Sequence, residues 1–253
     1  MIYKRLSVLT LLFCGIVCAS FTGCEYPGAT RRAIRNDLSG NAVSVHDQVL
    51  LRKLGEDSIP VVYDEIQRSP SDLRVYQGDN LLIGIVVGGK ADPSAPYIRS
   101  ILDDGRQPRD LRLVSADVLG WYPGSHAVWN ALIAHAKHDA DITVRARCIN
   151  SFGLWYCGSL ARHRISPTDF TTQRELAGLL HDESATIRKS AYEAIVIVGL
   201  ERLREGVDTA TWAESILRVG LKDKSKPVRK AALEGLAAIH QEKRHIRAGS
   251  KAN

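Results

Sequence analysis

Apolar residues recur along most of this chain at spacings of three and four, which sets them on one face of an α-helix. The pattern is plainest at Ile187, Ala191, Ala194, Ile195 and Val198. Shorter apolar segments precede it and its counterparts, at residues 59–66, 97–102, 128–134, 176–180 and 212–217, and each predicts a partner helix. Pro60 and Pro96 stand near the start of two of them, where a missing backbone N–H costs nothing. An earlier stretch, residues 43–54, predicts a helix that caps the stack. Residues 81–89 are apolar or glycine throughout and include β-branched side chains, so periodicity alone does not separate strand from helix. Their place after Arg74 assigns them to the second helix of the first pair, with Gly88-Gly89 ending it. No Gly-Lys-Ser/Thr follows, so a phosphate-binding loop has no support there.

The helix pairs repeat. An aliphatic residue followed by arginine occurs at Leu73-Arg74, Leu111-Arg112, Val144-Arg145, Ile187-Arg188 and Val228-Arg229, at intervals of 38, 33, 43 and 41 residues. Periods of about 20 to 50 residues mark units that hide their apolar faces by stacking on one another. Each of the last three copies places an aspartate six residues before the arginine, at Asp139, Asp182 and Asp223. The second copy has its acid early, at Asp104, and the first has Arg68 where that acid would stand.

An Asp in the turn, then Val-Arg, then an Ala-rich second helix resembles the HEAT-repeat family, over about residues 58–239. The resemblance implies an all-α fold, an α-solenoid of about five HEAT-like helical hairpins plus an N-terminal capping helix. It also implies that Asp139, Asp182 and Asp223 bond with Arg145, Arg188 and Arg229, between or within successive repeats, as a structural ladder. Positions that repeat in this way point to architecture, since a binding site seldom recurs at every period.

The N-terminus has another character. Lys4 and Arg5 precede an apolar stretch from Leu6 to about Ala19, too short to span a bilayer and suited to a secretory signal. Phe21-Thr22-Gly23-Cys24 resembles a bacterial lipoprotein box, with Phe21 departing from the usual leucine-like residue; the resemblance implies cleavage before Cys24 and lipidation of its thiol. Dual acylation suffices for stable anchoring. Glu25 follows, which by analogy with enterobacterial sorting implies an outer-membrane address facing the periplasm. The expected organisation is a signal peptide over 1–23, a flexible tether over 24–41, the repeat array over 42–242 and a basic disordered tail over 243–253.

Export bears on the cysteines and the charge. Once Cys14 and Cys18 leave with the signal and Cys24 is lipidated, Cys148 and Cys157 remain as a possible disulfide. Nine residues of unbroken helix would separate them by about 13.5 Å, against the roughly 7 Å a bridge permits, so the bond requires a helix break, for which Gly153 is the candidate. The formal net charge of +6 falls to +4 without Lys4 and Arg5, and much of the excess lies in Lys243, Arg244, Arg247 and Lys251. Nucleic acid is not the expected partner of an exported chain; anionic envelope polymers or lipid head groups are the more available ones.

Candidate chemistry is sparse. His135 and His138 stand three apart, followed by Asp139 and Asp141, a spacing that can hold a divalent metal, yet the ladder already claims Asp139. Trp121-Tyr122 and Trp155-Tyr156 are 34 residues apart, near the repeat period, which points to packing between repeats or to an exposed aromatic pair. No nucleophile motif stands out. An open solenoid offers a concave face suited to gripping another protein, so the expected function is a membrane-anchored, non-catalytic binding or scaffolding module of the bacterial envelope, with no cofactor and another envelope protein along that face. The alternatives are a lyase-like enzyme on a HEAT-like scaffold, which a buried polar cluster in the groove with perturbed acids would favour, and a passive structural envelope lipoprotein.

Overall fold

The computed structural model describes residues 27–39, 55–68, 72–88, 94–162, 164–166, 170–207 and 210–249. Every regular element among them is helical. The helices are α1 (Pro27–Leu38), α2 (Ile59–Arg68), α3 (Asp72–Gly88), α4 (Ala95–Asp103), α5 (Arg109–Leu119), α6 (His126–His138), α7 (Ile142–Ala161), α8 (Thr171–Leu179), α9 (Ala185–Arg204), α10 (Thr211–Gly220) and α11 (Lys226–Gly249), with a 3-10 turn at Gly55–Ser58 before α2. The fold is an all-α solenoid. α2 with α3, α4 with α5, α6 with α7, α8 with α9 and α10 with α11 form five successive hairpins, whose first helices are those the short apolar segments predict.

The hairpins lean on one another mainly through their second helices. α3, α5, α7, α9 and α11 pack side by side in one continuous layer, whereas the first helices mostly reach their own partners. The shared core runs the length of the stack, through Ile66, Leu82, Leu102, Leu119, Leu132, Phe152, Ile195, Leu217 and Ile239. Local signals start the helices: Ser125, Asp141 and Ser184 stand as N-caps, each accepting a backbone N–H from the first turn.

Small residues set how near the helices come. A Cβ on Gly153 would stand 3.4 Å from Ala194, one on Gly199 2.7 Å from Ala213, and one on Gly220 2.8 Å from the Ala232 Cβ. Gly153 does not break α7, which runs uninterrupted from Ile142 to Ala161, and a Cβ there would meet Ala194 of α9 only at ordinary contact distance. The disulfide expectation fails for that reason. Cys148 and Cys157 are free thiols on one continuous helix, the first buried and the second half-buried with its Sγ 3.7 Å from the Ile197 carbonyl.

Two boundaries also differ from the sequence reading. Residues 24–41 were expected as a tether, but Pro27–Leu38 is a helix, with Ala33, Ile34 and Leu38 buried against α2 and α3. The basic tail was expected to be disordered from residue 243, but α11 continues to Gly249, and Lys243 Nζ donates to Glu214 at 2.8 Å. Apolar periodicity fades at both ends because the bonds there are largely ionic: Arg31 and Arg35 reach Asp64 and Glu65, and Arg204 reaches Glu242. The signal peptide, Cys24 and the capping helix expected at residues 43–54 lie outside the described residues.

Candidate functional site

Each turn aspartate does two jobs. Oδ1 of Asp139, Asp182 and Asp223 accepts the backbone N–H two residues on, from Asp141 at 2.8 Å, Ser184 at 2.8 Å and Ser225 at 2.7 Å, which folds the chain into the turn before the second helix. The carboxylate also receives the arginine of the preceding hairpin. Arg112 donates to Asp139, Arg145 to Asp182 and Arg188 to Asp223, the last through Nε at 2.8 Å and Nη2 at 2.9 Å. The rungs therefore run between hairpins, not within them.

Carbonyl oxygens hold the arginines in place. Arg112 Nε donates to Leu102 O at 3.4 Å, Arg145 Nε to Ala136 O at 3.1 Å, and Arg188 Nη1 to Asp182 O and Glu183 O at 2.9 Å each. The Arg188 bond holds the Asp223 carboxyl below its usual range, and the same bond raises the Arg188 guanidinium. Arg229 makes the equivalent carbonyl bonds, to Asp223 O at 2.7 Å and Lys224 O at 3.0 Å. At the weaker second copy, Asp104 is turned inward on its own loop, bonded by Arg106 Nε at 2.9 Å, and that bond chiefly pulls its carboxyl down to about 2.

His135 joins the ladder and leaves the metal reading without its ligands. Its Nδ1 lies 2.9 Å from Asp139 and its Nε2 2.9 Å from Asp103, while His138 is exposed and Asp141 caps α7 by accepting from Thr143 and Val144. Among the described residues no three such ligands gather. The aromatic pairs are packing: Tyr122, Trp155 and Tyr156 are buried, and Tyr122 and Tyr156 bond Ser94 and Arg202 through their hydroxyls. Trp155-Tyr156 lies inside α7.

The layer of second helices presents two recesses. One, of about 230 Å³, lies among α3, α5 and α7 and is lined by Tyr76, Asp79, Asp110, Leu113, Asp117 and Arg147. Arg147 Nη1 donates to Asp117 Oδ2 at 2.6 Å and Ser151 Oγ to Asp117 Oδ1 at 3.3 Å, while Asp79 Oδ1 is buried without a hydrogen-bond partner among the described residues. Burial raises both carboxyls; the Asp117 charge raises Asp79 further, against the pull of Arg147. The sequence reading missed this group because its members stand on three helices from three hairpins. The available signal was an acid, Asp117, set within the apolar run of α5. The other recess, about 480 Å³, lies between α9 and α11 beside Lys189, Glu193, Lys226, Lys230 and Glu234, where Lys189 and Glu193 pair at 2.7 Å.

No protein-family model matches this chain. No curated protein matches it either. Among solved structures it is similar to a designed armadillo repeat protein, with 16% identity over 83% of this chain and 99% of that one, at a TM-score of 0.38.

Proposed function

We propose that this chain is a HEAT-type repeat module that binds another protein along its layer of second helices, without chemistry of its own, and is held to a bacterial envelope membrane through a lipid on Cys24. One observation carries the binding reading: arginine-to-aspartate rungs tie the second hairpin to the third, the third to the fourth and the fourth to the fifth, so the layer of α5, α7, α9 and α11 is held as a pre-formed surface. A rigid surface loses less freedom on binding than a loose one, and so favours association. The partner is another envelope protein, and the lipoprotein-like Phe21-Thr22-Gly23-Cys24 supports the address. No described helix is long and apolar enough to cross a membrane.

The enzyme alternative has one observation in its favour, the Asp79–Asp117 pair with raised carboxyls beside Arg147. A raised acid beside a second carboxyl can serve general acid–base chemistry. Against it, Asp117 is committed to Arg147 and Ser151, and Asp79 Oδ1 has no hydrogen-bond partner among the described residues to pass a proton to. Crosslinking from intact envelopes with a photoreactive residue at Leu113, on the groove wall, tests the choice. A stoichiometric protein adduct that Cys24→Ser weakens supports the anchored binding module; a groove that captures no protein overturns it.

A further inference from the structure

The two ends of the array differ. At the N-terminal end α1 lies over α2 and α3, with Ile34 and Leu38 buried, and its arginines bind Asp64 and Glu65. At the other end, among the described residues, no further helix follows α11.

Repeat register shows what that end would meet. Ile149, Tyr192 and Leu233 each stand four residues after the ladder arginine of their own second helix. Ile149 and Tyr192 are 0% and 4% exposed, and Tyr192 packs on the next hairpin so tightly that a Cβ on Gly220 would come within 2.6 Å of its ring. Leu233 is 60% exposed. Arg229 shows the same thing. Its Nη1 is held by the carbonyls of Asp223 and Lys224, as Arg188 Nη1 is held by those of Asp182 and Glu183. Arg188 gives its Nε and Nη2 to a carboxylate of the next hairpin, whereas Arg229 has no carboxylate partner among the described residues.

We propose that this C-terminal end face, built on Arg229 and Leu233, docks a different helical protein that presents a carboxylate in a turn with apolar surface behind it. The carboxylate follows from the Arg188–Asp223 bond that Arg229 is set up to repeat, and the apolar backing from the burial of Tyr192 and Ile149 at the matching positions. The ladder acids of a second copy of the chain do not supply the carboxylate. Asp139, Asp182 and Asp223 are each taken by an arginine of their own array, and Asp104 by Arg106. Asp64 and Glu65 at the opposite end are taken by Arg31, Arg35 and Arg68. Arg229 and Leu233 line neither recess of the second-helix layer, so the proposal stands whether or not that layer binds as proposed above.

The test uses the full chain with benzoylphenylalanine in place of Leu233, crosslinked by light in the cells that make it, with the joined peptides identified by mass spectrometry. The expected adduct is to another protein, at a segment flanking an Asp or Glu in a helical turn. Its yield falls at least about tenfold with Arg229→Glu, as for loss of one member of a buried charge pair, and holds with Arg32→Glu, the same charge change at the opposite end. Circular dichroism checks that each variant is folded; should Arg229→Glu unfold, Arg229→Gln carries the same expectation. No adduct, an adduct between two copies, a joined segment without a turn acid, or a yield indifferent to Arg229 would each overturn the proposal.

Discussion

Arg188 shows how one side chain can serve three bonding partners. It is 5% exposed, forks onto Asp223 and donates to two carbonyls, so its truncation leaves a partly buried carboxylate without its counter-charge. Arg188→Ala is expected to lower stability by about 1.5 to 3 kcal/mol, read as a fall in the thermal midpoint; an unchanged midpoint would count against the ladder. Asp79 acts in the opposite sense. Burial pushes it up to about 8, against an ordinary carboxylate value of about 3.9, so the folded chain holds a proton that the unfolded chain releases. Its contribution is fully present below the unfolded value and is lost as pH rises toward 8. Asp223, held low by Arg188, has the reverse sign and loses its contribution as pH falls through the acid range. Asp79→Asn should therefore raise the midpoint at pH 8 and flatten its dependence between pH 5 and 8, and a variant that follows the parent across that window would refute the buried-acid account. The sequence showed the ladder residues because they recur with the period. It left open whether the bonds lie within or between repeats, and it hid Asp79, whose neighbours are assembled only when three helices meet.

Among the helices, periodicity located every hairpin, and glycine was the residue it misread. A bond between Cys148 and Cys157 required a break in α7 for which Gly153 was the candidate, yet a helix tolerates a glycine at a cost of about 1 kcal/mol relative to alanine. Gly220 is a sharper case, since a Cβ there would meet both the Tyr192 ring and the Ala232 Cβ. Gly220→Ala should destabilise the last hairpin by about 1 to 3 kcal/mol despite its better helix propensity, seen as earlier hydrogen exchange in α10 and α11; exchange equal to the parent would show that the approach is looser than described. The unbroken α7 also fixes the cysteines. Thiol titration of the unfolded chain without reductant should find both Cys148 and Cys157 reactive, and a disulfide-linked peptide joining them would contradict the continuous helix. The ends of the array were hidden because α1 and the last turns of α11 are held largely by ion pairs that no apolar pattern announces.

Across the whole molecule, the hairpins share one apolar core and are tied to one another along one side by charge. Among the described residues that division of labour leaves the second-helix face and the end of α11 at Arg229 and Leu233 without a covering helix, which is where the proposed binding takes place. Lipidation adds a prediction of its own: Cys24→Ser should move the protein from the membrane to the soluble fraction with its helical circular dichroism unchanged, and palmitate labelling that persists in the variant would defeat the anchor. The central claim, that the second to fifth hairpins are locked each to the next by an arginine, is tested most directly by double-mutant cycles on Arg112/Asp139, Arg145/Asp182 and Arg188/Asp223 in the full chain. The ladder requires a favourable coupling at all three rungs, of about 0.5 to 3 kcal/mol each; additive losses at the three pairs would contradict it.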